Sequence, residues 1–412
     1  MDGSALRRDG NDTDHHAGDK NGRSAPAGMH FLQIPGPTNI PERVLRAMHR
    51  TAIDQRGAEF GELAKSLFTD LQRVFATEDE VFIFPASGSG AGEAAIANTL
   101  SPGDGILMFN SGMFSVLWIK MARQFGLDVH TLENDWRRGP DPDAIEHFLR
   151  QDTTHDIKAV FCVHNETSTG VASRIPEIRS AIDAAGHPAL LIVDTISSLG
   201  SIDYRHDDWG VDISIGGSQK GLMLPPGLSF NAVSAKAQKA AETATLPKFY
   251  WDWEWMRSMN ADGFFPYTPA IQMFYGLREA LDMLAEEGLD NVVARHARHG
   301  EATRAAVAGW GLETVCADER EYSNSVTAVF VPEGVNADAF RLGVLEDFNM
   351  ALGGGLERLS GRVFRIGHMG SFNDIMLMGA LNGVEMGLAQ SGVPHRADGV
   401  AEARNVLTKA AW

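Results

Sequence analysis

Lys220 closes the stretch Val211-Asp-Ile-Ser-Ile-Gly-Gly-Ser-Gln-Lys220 and is followed by Gly221-Leu-Met-Leu-Pro-Pro-Gly227. A short β-branched run stops at small residues that deliver one lysine to a turn. Between Ser214 and Leu228 no other charged side chain occurs. Low-dielectric surroundings disfavour an ammonium and lower the lysine pKa, the property that a Schiff-base-forming lysine needs. Upstream, Leu190-Leu-Ile-Val-Asp194 reads as a buried strand ending in a carboxylate.

A lysine for covalent attachment and an aspartate to pair a pyridinium nitrogen are the residue set of a pyridoxal phosphate site. Pro85-Ala-Ser87-Gly88-Ser89-Gly90-Ala-Gly-Glu93 lies between a strand pattern and a helix pattern. Its glycines permit a tight turn, and amides exposed at a helix N-terminus bind a phosphate dianion. The spacing is G-x-G-x-G, not the dinucleotide G-x-G-x-x-G, so a cofactor with one phosphate fits better. Phe114 in Ser111-Gly-Met-Phe114 follows the next strand and can stack on a planar ring; its competing role is a core aromatic. His164-Asn-Glu-Thr-Ser-Thr-Gly170 follows another strand end, where α/β sites collect, and offers the Thr167 and Ser168 hydroxyls to a phenolic oxygen. Arg365 stands inside the apolar strand Gly361-Arg-Val-Phe-Arg365-Ile-Gly-His368. A planar guanidinium crowded by Val363, Phe364 and Ile366 is suited to gripping a carboxylate with two parallel hydrogen bonds.

The elements that must position these residues follow a βα rhythm. Strands are expected at Val81–Phe84, Gly105–Phe109, Val129–Leu132 and Lys158–Val163, and then ending at Asp194 and Ile215. Helices are expected at Ala91–Leu100, Met113–Phe125, Pro142–Arg150 and Ile175–Ala185. A helix-rich stretch from Pro269 to Trp310 leads to a strand, helix, strand, strand, helix pattern from Ser325 to Ala389. The expected fold is α/β: a large domain with a mostly parallel seven-stranded sheet flanked by helices, and a smaller C-terminal α+β domain. The boundaries expected are a disordered tail over 1–28, an N-terminal segment at the site over 29–45, the large domain over 46–290, the small domain over 291–394, and a C-terminal helix or tail over 395–412.

The chain has 412 residues, of which 44% are hydrophobic and 22% charged, enough for a sizeable core. A formal net charge of −18 argues against nonspecific binding to nucleic acid or anionic membranes. Cys162 and Cys316 have no metal-ligand spacing and form no disulfide framework, so a reducing, cytoplasmic setting fits and no metal site is expected. Cys162 in Ala159-Val-Phe-Cys-Val163 reads as a buried, inert thiol. There is no apolar run of the ~18 residues that a membrane span requires. The polar opening segment, which includes His15-His16, lacks a signal peptide's apolar core, and Ala410-Ala-Trp412 is no peroxisomal address.

The set Pro35-Gly-Pro-Thr38, Ser87-Gly-Ser89, His164 to Gly170, Asp194 with Ser198-Leu-Gly200, Gly217-Ser-Gln-Lys220, Pro225-Pro-Gly227, Tyr267-Thr-Pro269 and Arg365-Ile-Gly367 resembles the class V aminotransferases. Within them it is similar to the alanine–, serine– and aspartate–glyoxylate aminotransferases, from about Phe31 to about Pro394. The resemblance implies a fold type I enzyme that uses pyridoxal 5′-phosphate, with amino-acid and keto-acid substrates. It also implies a homodimer, or a tetramer of such dimers, with the site at the subunit interface. It makes Lys220 the covalent anchor and proton carrier and Asp194 the partner of the pyridine nitrogen. Phe114 takes the ring-stacking place, and Ser168 bonds the phenolic oxygen. Ser87, Gly88, Ser89 and Gln219 line the phosphate, with Thr268 arriving from the other subunit. Arg365 binds the α-carboxylate, helped by the backbone near Gly36.

Two positions depart from the family pattern. Phe265 stands where animal members have a tyrosine, which leaves Tyr267 as the remaining candidate for a cross-subunit phosphate hydroxyl. Gln55 in Asp54-Gln-Arg56 replaces a histidine common in bacterial relatives. The cysteine desulfurases share the fold but carry histidine before the lysine, where this chain has Gln219. The stretches Thr195 to Tyr204, Tyr250-Trp-Asp-Trp253 and Phe264 to Thr268 most resemble the bacterial aspartate–glyoxylate enzymes. The expected reaction is therefore transfer from L-aspartate to glyoxylate, with Arg56 preferred over Lys248 as the cation for the second carboxylate; the competing role of Arg56 is a surface pair with Asp54 or Glu59. Serine– or alanine–glyoxylate transfer and a pyridoxal phosphate lyase acting at Cβ are the alternatives.

Overall fold

In the computed structural model, which describes residues 28–409, the main sheet has seven strands. Their spatial order is Glu80–Phe84, Ser229–Val233, Ile213–Gly217, Leu190–Asp194, Ile157–Val163, Gly105–Asn110 and Asp128–Glu133. Only Ser229–Val233 runs against its neighbours. The central strands are buried on both faces, which is why they read as unbroken apolar runs instead of alternating ones. The chain reverses its direction of travel across the sheet between Gly105–Asn110 and Ile157–Val163. Ligands of open α/β sheets bind at such a switch point, beyond the carboxyl ends of the strands. Asp194 ends its strand, Phe114 and His164 follow two others closely, and Lys220 and Ser87 follow Gly217 and Phe84. All five therefore sit at one edge of the sheet.

A second sheet is ordered Phe31–Gln33, Met350–Gly354, Val363–Gly367, Val326–Phe330 and Glu313–Thr314. Its first strand comes from the start of the described chain and pairs in parallel with Met350–Gly354. The residues just after it, Ile34 to Thr38, are thereby carried from the second sheet to the carboxyl edge of the first. Two large hydrophobic cores go with the two sheets, one spanning Val44 to Val292 and one Ala302 to Leu407, and a small third cluster of Trp136, Val315, Ala328, Leu359 and Val363 packs on the second sheet. The helix Leu289–Trp310 contributes Val292 to the first and Ala302, Ala306, Val307 and Trp310 to the second. Gly288, with φ of +84°, separates it from Ile271–Glu287, so the expected helical stretch is two helices.

The helix after the glycine-rich turn begins at Gly88, three residues earlier than expected, with Ser87 as its N-cap. The glycines are thus the first turn of the helix and not a loop before it. Ala58–Phe75 is a helix with no counterpart among the expected elements, although Phe60, Ala64, Leu67, Leu71 and Val74 recur at helical spacing and are all buried. Trp253–Asn260 was likewise not anticipated; it is capped by Asp252, whose side chain accepts from the Trp255 amide. Residues 1–27, with His15-His16, and 410–412 lie outside the described residues. Among the described residues no helix is long and apolar enough to cross a membrane.

Candidate active site

A cavity of about 180 Å³ opens at the carboxyl edge of the main sheet. Ser87, Gly88, Ser89, Phe114, Asp194, Gln219 and Lys220, all named from the sequence, line it. Trp118, Asn165, Thr167, Ile196 and Ser197 line it as well. Among the described residues Lys220 is the only cationic side chain in its wall.

Lys220 Nζ donates to the Pro35 carbonyl at 2.7 Å, and the Thr38 hydroxyl donates to the Lys220 carbonyl at 3.2 Å. The N-terminal segment is therefore packed on the lysine. Gly36, with φ of +115°, lies so close that a Cβ there would collide with the Lys220 side chain. Burial pushes the Lys220 pKa down to about 8; the Arg365 cation pushes the same way and Asp194 opposes both. With a pKa of about 8, roughly a tenth of the amine is neutral at pH 7, against a negligible share for an ordinary lysine, which makes it a usable nucleophile and base.

Asp194 is buried, and burial pushes its pKa up to about 6. Two donors oppose that: the Ile196 amide to Oδ1 at 2.8 Å and the Trp118 indole N–H to Oδ2, also 2.8 Å. Nearby, Glu166 is enclosed but fully occupied. Its Oε2 accepts from the amides of Phe114 and Ser115 at 3.1 and 3.0 Å. Its Oε1 accepts from the Ser168 amide at 3.1 Å and hydroxyl at 2.6 Å. An anion at the first turn of Met113–Gln124 satisfies amides that have no partner within the helix, and this fixes where Phe114 stands.

The Ser168 hydroxyl is consequently spent. It donates to Glu166, accepts from the Met113 amide at 3.0 Å, and does not line the cavity. The neighbouring Thr167 lines the cavity instead. The phosphate set is laid out as a cradle. Ser87 stands at the N-cap position with no side-chain bond to the first turn, whose leading amides are left without helical partners. A Cβ at Gly88 would run into Ile196, and one at Gly90 would lie 2.7 Å from Trp251. Gln219 Oε1 is buried with no partner, and turning the amide over would present its NH₂ donors to a phosphate oxygen. A planar, singly phosphorylated pyridine fits this donor set: a helix N-terminus at one end, a carboxylate at another, and an amine between.

Arg365 lies beside Lys220 but outside the cavity wall. Its Nε donates to the Gly354 carbonyl at 2.7 Å and its Nη1 to the Thr167 carbonyl at 2.8 Å. Among the described residues no carboxylate lies within ion-pair distance of it, and burial lowers its pKa to about 10. Two expected residues stand away from the cavity in this single chain. Thr268 is exposed, and Arg56 is exposed on the turn that Asp54 caps through the Arg56 amide at 3.0 Å. Phe265 is buried among Phe60, Phe68 and Phe274, while the Tyr267 hydroxyl meets the Met256 sulfur at 3.2 Å. Gln55 Oε1 is another buried oxygen without a partner. Cys162 is buried and its thiol is pushed up to about 12 by that burial. At the opposite edge of the sheet Asp79, His206 and Asp207 gather ligand-type atoms within 4.8 Å, but there Asp207 caps a turn through Thr77 and Glu78.

Trp118, Asn165, Ile196 and Glu166 escaped the sequence reading. Trp118 is four residues after Phe114, one helical turn on, and Ile196 is two after Asp194, so spacing from the named residues carried a signal. Asn165 and Glu166 lie within His164 to Gly170, where the hydroxyls of Thr167 and Ser168 carry the more obvious chemistry.

The Aminotransferase class-V family model matches residues 30–357. The chain belongs to the class-V aminotransferases. It is 52% identical over 388 residues to the serine–glyoxylate aminotransferase of Methylorubrum extorquens, covering 92% of this chain and 96% of that one. It is 46% identical over 373 residues to the L-aspartate–glyoxylate aminotransferase of Paracoccus denitrificans, covering 90% and 94%. The crystal structure of ureidoglycine–glyoxylate aminotransferase from Bacillus subtilis superposes with a TM-score of 0.86 at 26% identity, covering 94% of this chain and all of that one. This class-V aminotransferase thus has the fold type I architecture, and its cofactor is pyridoxal 5′-phosphate.

Proposed function

We propose that this aminotransferase transfers an amino group from a small L-amino acid to glyoxylate, giving glycine. Serine is the first donor in this reading and aspartate the second. The observation that carries it is the meeting of Lys220 and Asp194 in one small cavity, with the unpaired guanidinium of Arg365 beside the lysine. The serine–glyoxylate enzyme of M. extorquens, at 52% identity, is more similar than the aspartate–glyoxylate enzyme of P. denitrificans, at 46%. An aspartate side chain would need a second cation, and the cavity wall has none besides Lys220. The exposed Arg56 guanidinium favours aspartate only if it reaches the site of a second copy.

Pyridoxal phosphate, when bound, supplies the carbonyl that takes the amino group and the ring that accepts the electron pair left at Cα. Lys220 Nζ holds it covalently and, once displaced by the donor, takes the proton from the donor's Cα. Asp194 keeps a proton on the ring nitrogen. The first turn from Gly88, with Ser87, Ser89 and Gln219, holds the phosphate, and Phe114 covers the ring. Thr167, in place of Ser168, is the side chain nearest to hand for the phenolic oxygen. Arg365 grips the α-carboxylate common to donor and acceptor, against the main chain at Gly36. Donor and acceptor use the same groups in turn, so the kinetics are ping-pong. A homodimer is part of this reading. Its support is the exposed Thr268 together with Phe249 and Tyr250, which stand next to the Trp251 that packs on the phosphate cradle.

The test is a donor panel with glyoxylate, read by amino-acid analysis. Glycine formed in proportion to the keto acid of the donor supports the reading. Turnover of serine to pyruvate and ammonia in the absence of glyoxylate would instead make the protein a lyase acting at Cβ. A preference for aspartate would bring Arg56 into the site.

A further inference from the structure

We propose that Trp118 is a positioning residue for Asp194: its indole N–H fixes one carboxylate oxygen so that the other lone pairs of the group face the ring nitrogen of the cofactor. This rests on the reading of Asp194 given above. Trp118 is buried, lines the cavity, and donates from Nε1 to Asp194 Oδ2 at 2.8 Å. The Ile196 amide holds Oδ1 at the same distance. Each carboxylate oxygen has two lone pairs, so one donor on each leaves room for a third partner. Two fixed donors also define the plane of the carboxylate, which a single one would leave free to turn.

The indole is itself held. Its ring packs on Phe161 with centroids 5.2 Å apart and an interplanar angle of 37°. Gly92, on the helix Gly88–Thr99, is in close contact with it: a Cβ there would overlap the six-membered ring. The same glycine-rich helix thus offers its N-terminus to a phosphate and, one turn on, a flat seat to the tryptophan. An aromatic used only for packing would not require its one polar atom to meet the carboxylate.

An indole N–H can donate but not accept, so it stabilises the ionised carboxylate and not the acid. Burial and the nearby Glu166 carboxylate push Asp194 toward the acid form; Ile196, Trp118 and, at longer range, Lys220 push it back. Cys162, on the adjacent strand, is a neutral thiol at working pH. Removing the indole N–H therefore raises the Asp194 pKa. Ionised Asp194 then disappears at a higher pH as the solution is acidified, and the acid limb of the pH profile moves alkaline.

The experiment uses the holoenzyme and four proteins: wild type, Trp118→Phe, Asp194→Asn and the double variant. Trp118→Phe keeps an aromatic ring and removes the N–H. Its expected effects are a dissociation constant for pyridoxal phosphate about tenfold higher and an acid limb of kcat/KM moved up by about one pH unit, the loss of one charge-assisted hydrogen bond. In the double variant, Trp118→Phe should add less than about a twofold loss to that of Asp194→Asn, because it acts through the missing carboxylate. If Trp118→Phe does not fold, incorporating 3-benzothienylalanine at position 118 replaces the N–H by sulfur with the ring shape kept. An unmoved acid limb, or losses that multiply in the double variant, would overturn the proposal. If Asp194→Asn itself changes neither affinity nor rate, the reading of Asp194 fails first and Trp118 falls with it.

Discussion

Arg365→Lys separates a charge from a geometry. A guanidinium has five N–H groups. In Arg365 one on Nε is given to the Gly354 carbonyl and one on Nη1 to the Thr167 carbonyl. Three remain, one on Nη1 and two on Nη2, and these two nitrogens are a matched pair for the two oxygens of a carboxylate. An ammonium has only three N–H groups, and satisfying the same two carbonyls leaves one. The substitution thus keeps the charge and costs one charge-assisted hydrogen bond to the ligand, about 1.5–3 kcal/mol, or roughly 10- to 150-fold in affinity. Donor and acceptor share the α-carboxylate, so both should weaken by similar factors. The assay is to measure the two half-reactions separately, following the cofactor's absorbance while titrating serine and then glyoxylate. Arg365→Gln, which also removes the charge, should be worse for both. A change confined to the amino acid, or binding constants within twofold of wild type, would refute the reasoning and make Arg365 a support for the Gly354 and Thr167 carbonyls.

Other outcomes follow from the same geometry. Lys220→Ala should abolish turnover while circular dichroism and chain association stay unchanged; more than a trace of activity in the pure variant would remove Lys220 from the chemistry. The pKa of Lys220 is about 8 in the folded chain and near 10.5 when unfolded, so the unfolded state binds more protons between those values and cofactor-free stability from this group rises with pH across that window. Lys220→Met should flatten that rise in urea titrations. Glu166→Gln turns a four-way acceptor into a group with an NH₂ facing amide donors, and should lower stability by about 1–3 kcal/mol in urea unfolding. An unchanged midpoint would mean that the start of Met113–Gln124 does not depend on it. Ser168→Ala should leave the absorbance of bound cofactor unchanged, whereas Thr167→Val should shift it; the reverse pattern would return the phenolic contact to Ser168.

The parts of the site legible in the sequence were those written locally. Lys220, Asp194 and Ser87 each end or follow a strand, and residue type plus position was enough to name them. Arg365 was legible as a charge inside an apolar strand, but its carbonyl partners come from Thr167 and Gly354, far apart in sequence, so the share of its N–H groups left for a ligand was not. Ser168 misled because Ser and Thr side by side offer the same hydroxyl, and which one points inward depends on Glu166 two residues earlier. The helix Ala58–Phe75 was legible by periodicity and was missed because no chemical motif lies on it. Trp118 shows the opposite limit. Its spacing said helix, and only the packing on Gly92 and Phe161 reveals that its polar atom is aimed at Asp194.

The protonation states at this edge of the sheet follow from how hydrogen-bond donors are distributed, not from burial alone. Burial acts on all three groups by the same rule, against charge. It therefore drives Lys220 toward the free amine, and drives Asp194 and Glu166 toward the acids. A nucleophilic lysine needs that push, while a carboxylate that must pair a protonated ring nitrogen needs it opposed. The fold gives Asp194 two N–H donors, and Glu166 three amides and a hydroxyl. Lys220 receives one neutral carbonyl, Pro35, and a nearby cation, Arg365. A carboxylate in place of Pro35 would hold the ammonium charged and remove the base. The N-terminal segment, crossing from the second sheet to place a carbonyl there, is thus tied to the lysine's reactivity as closely as the strand that carries it.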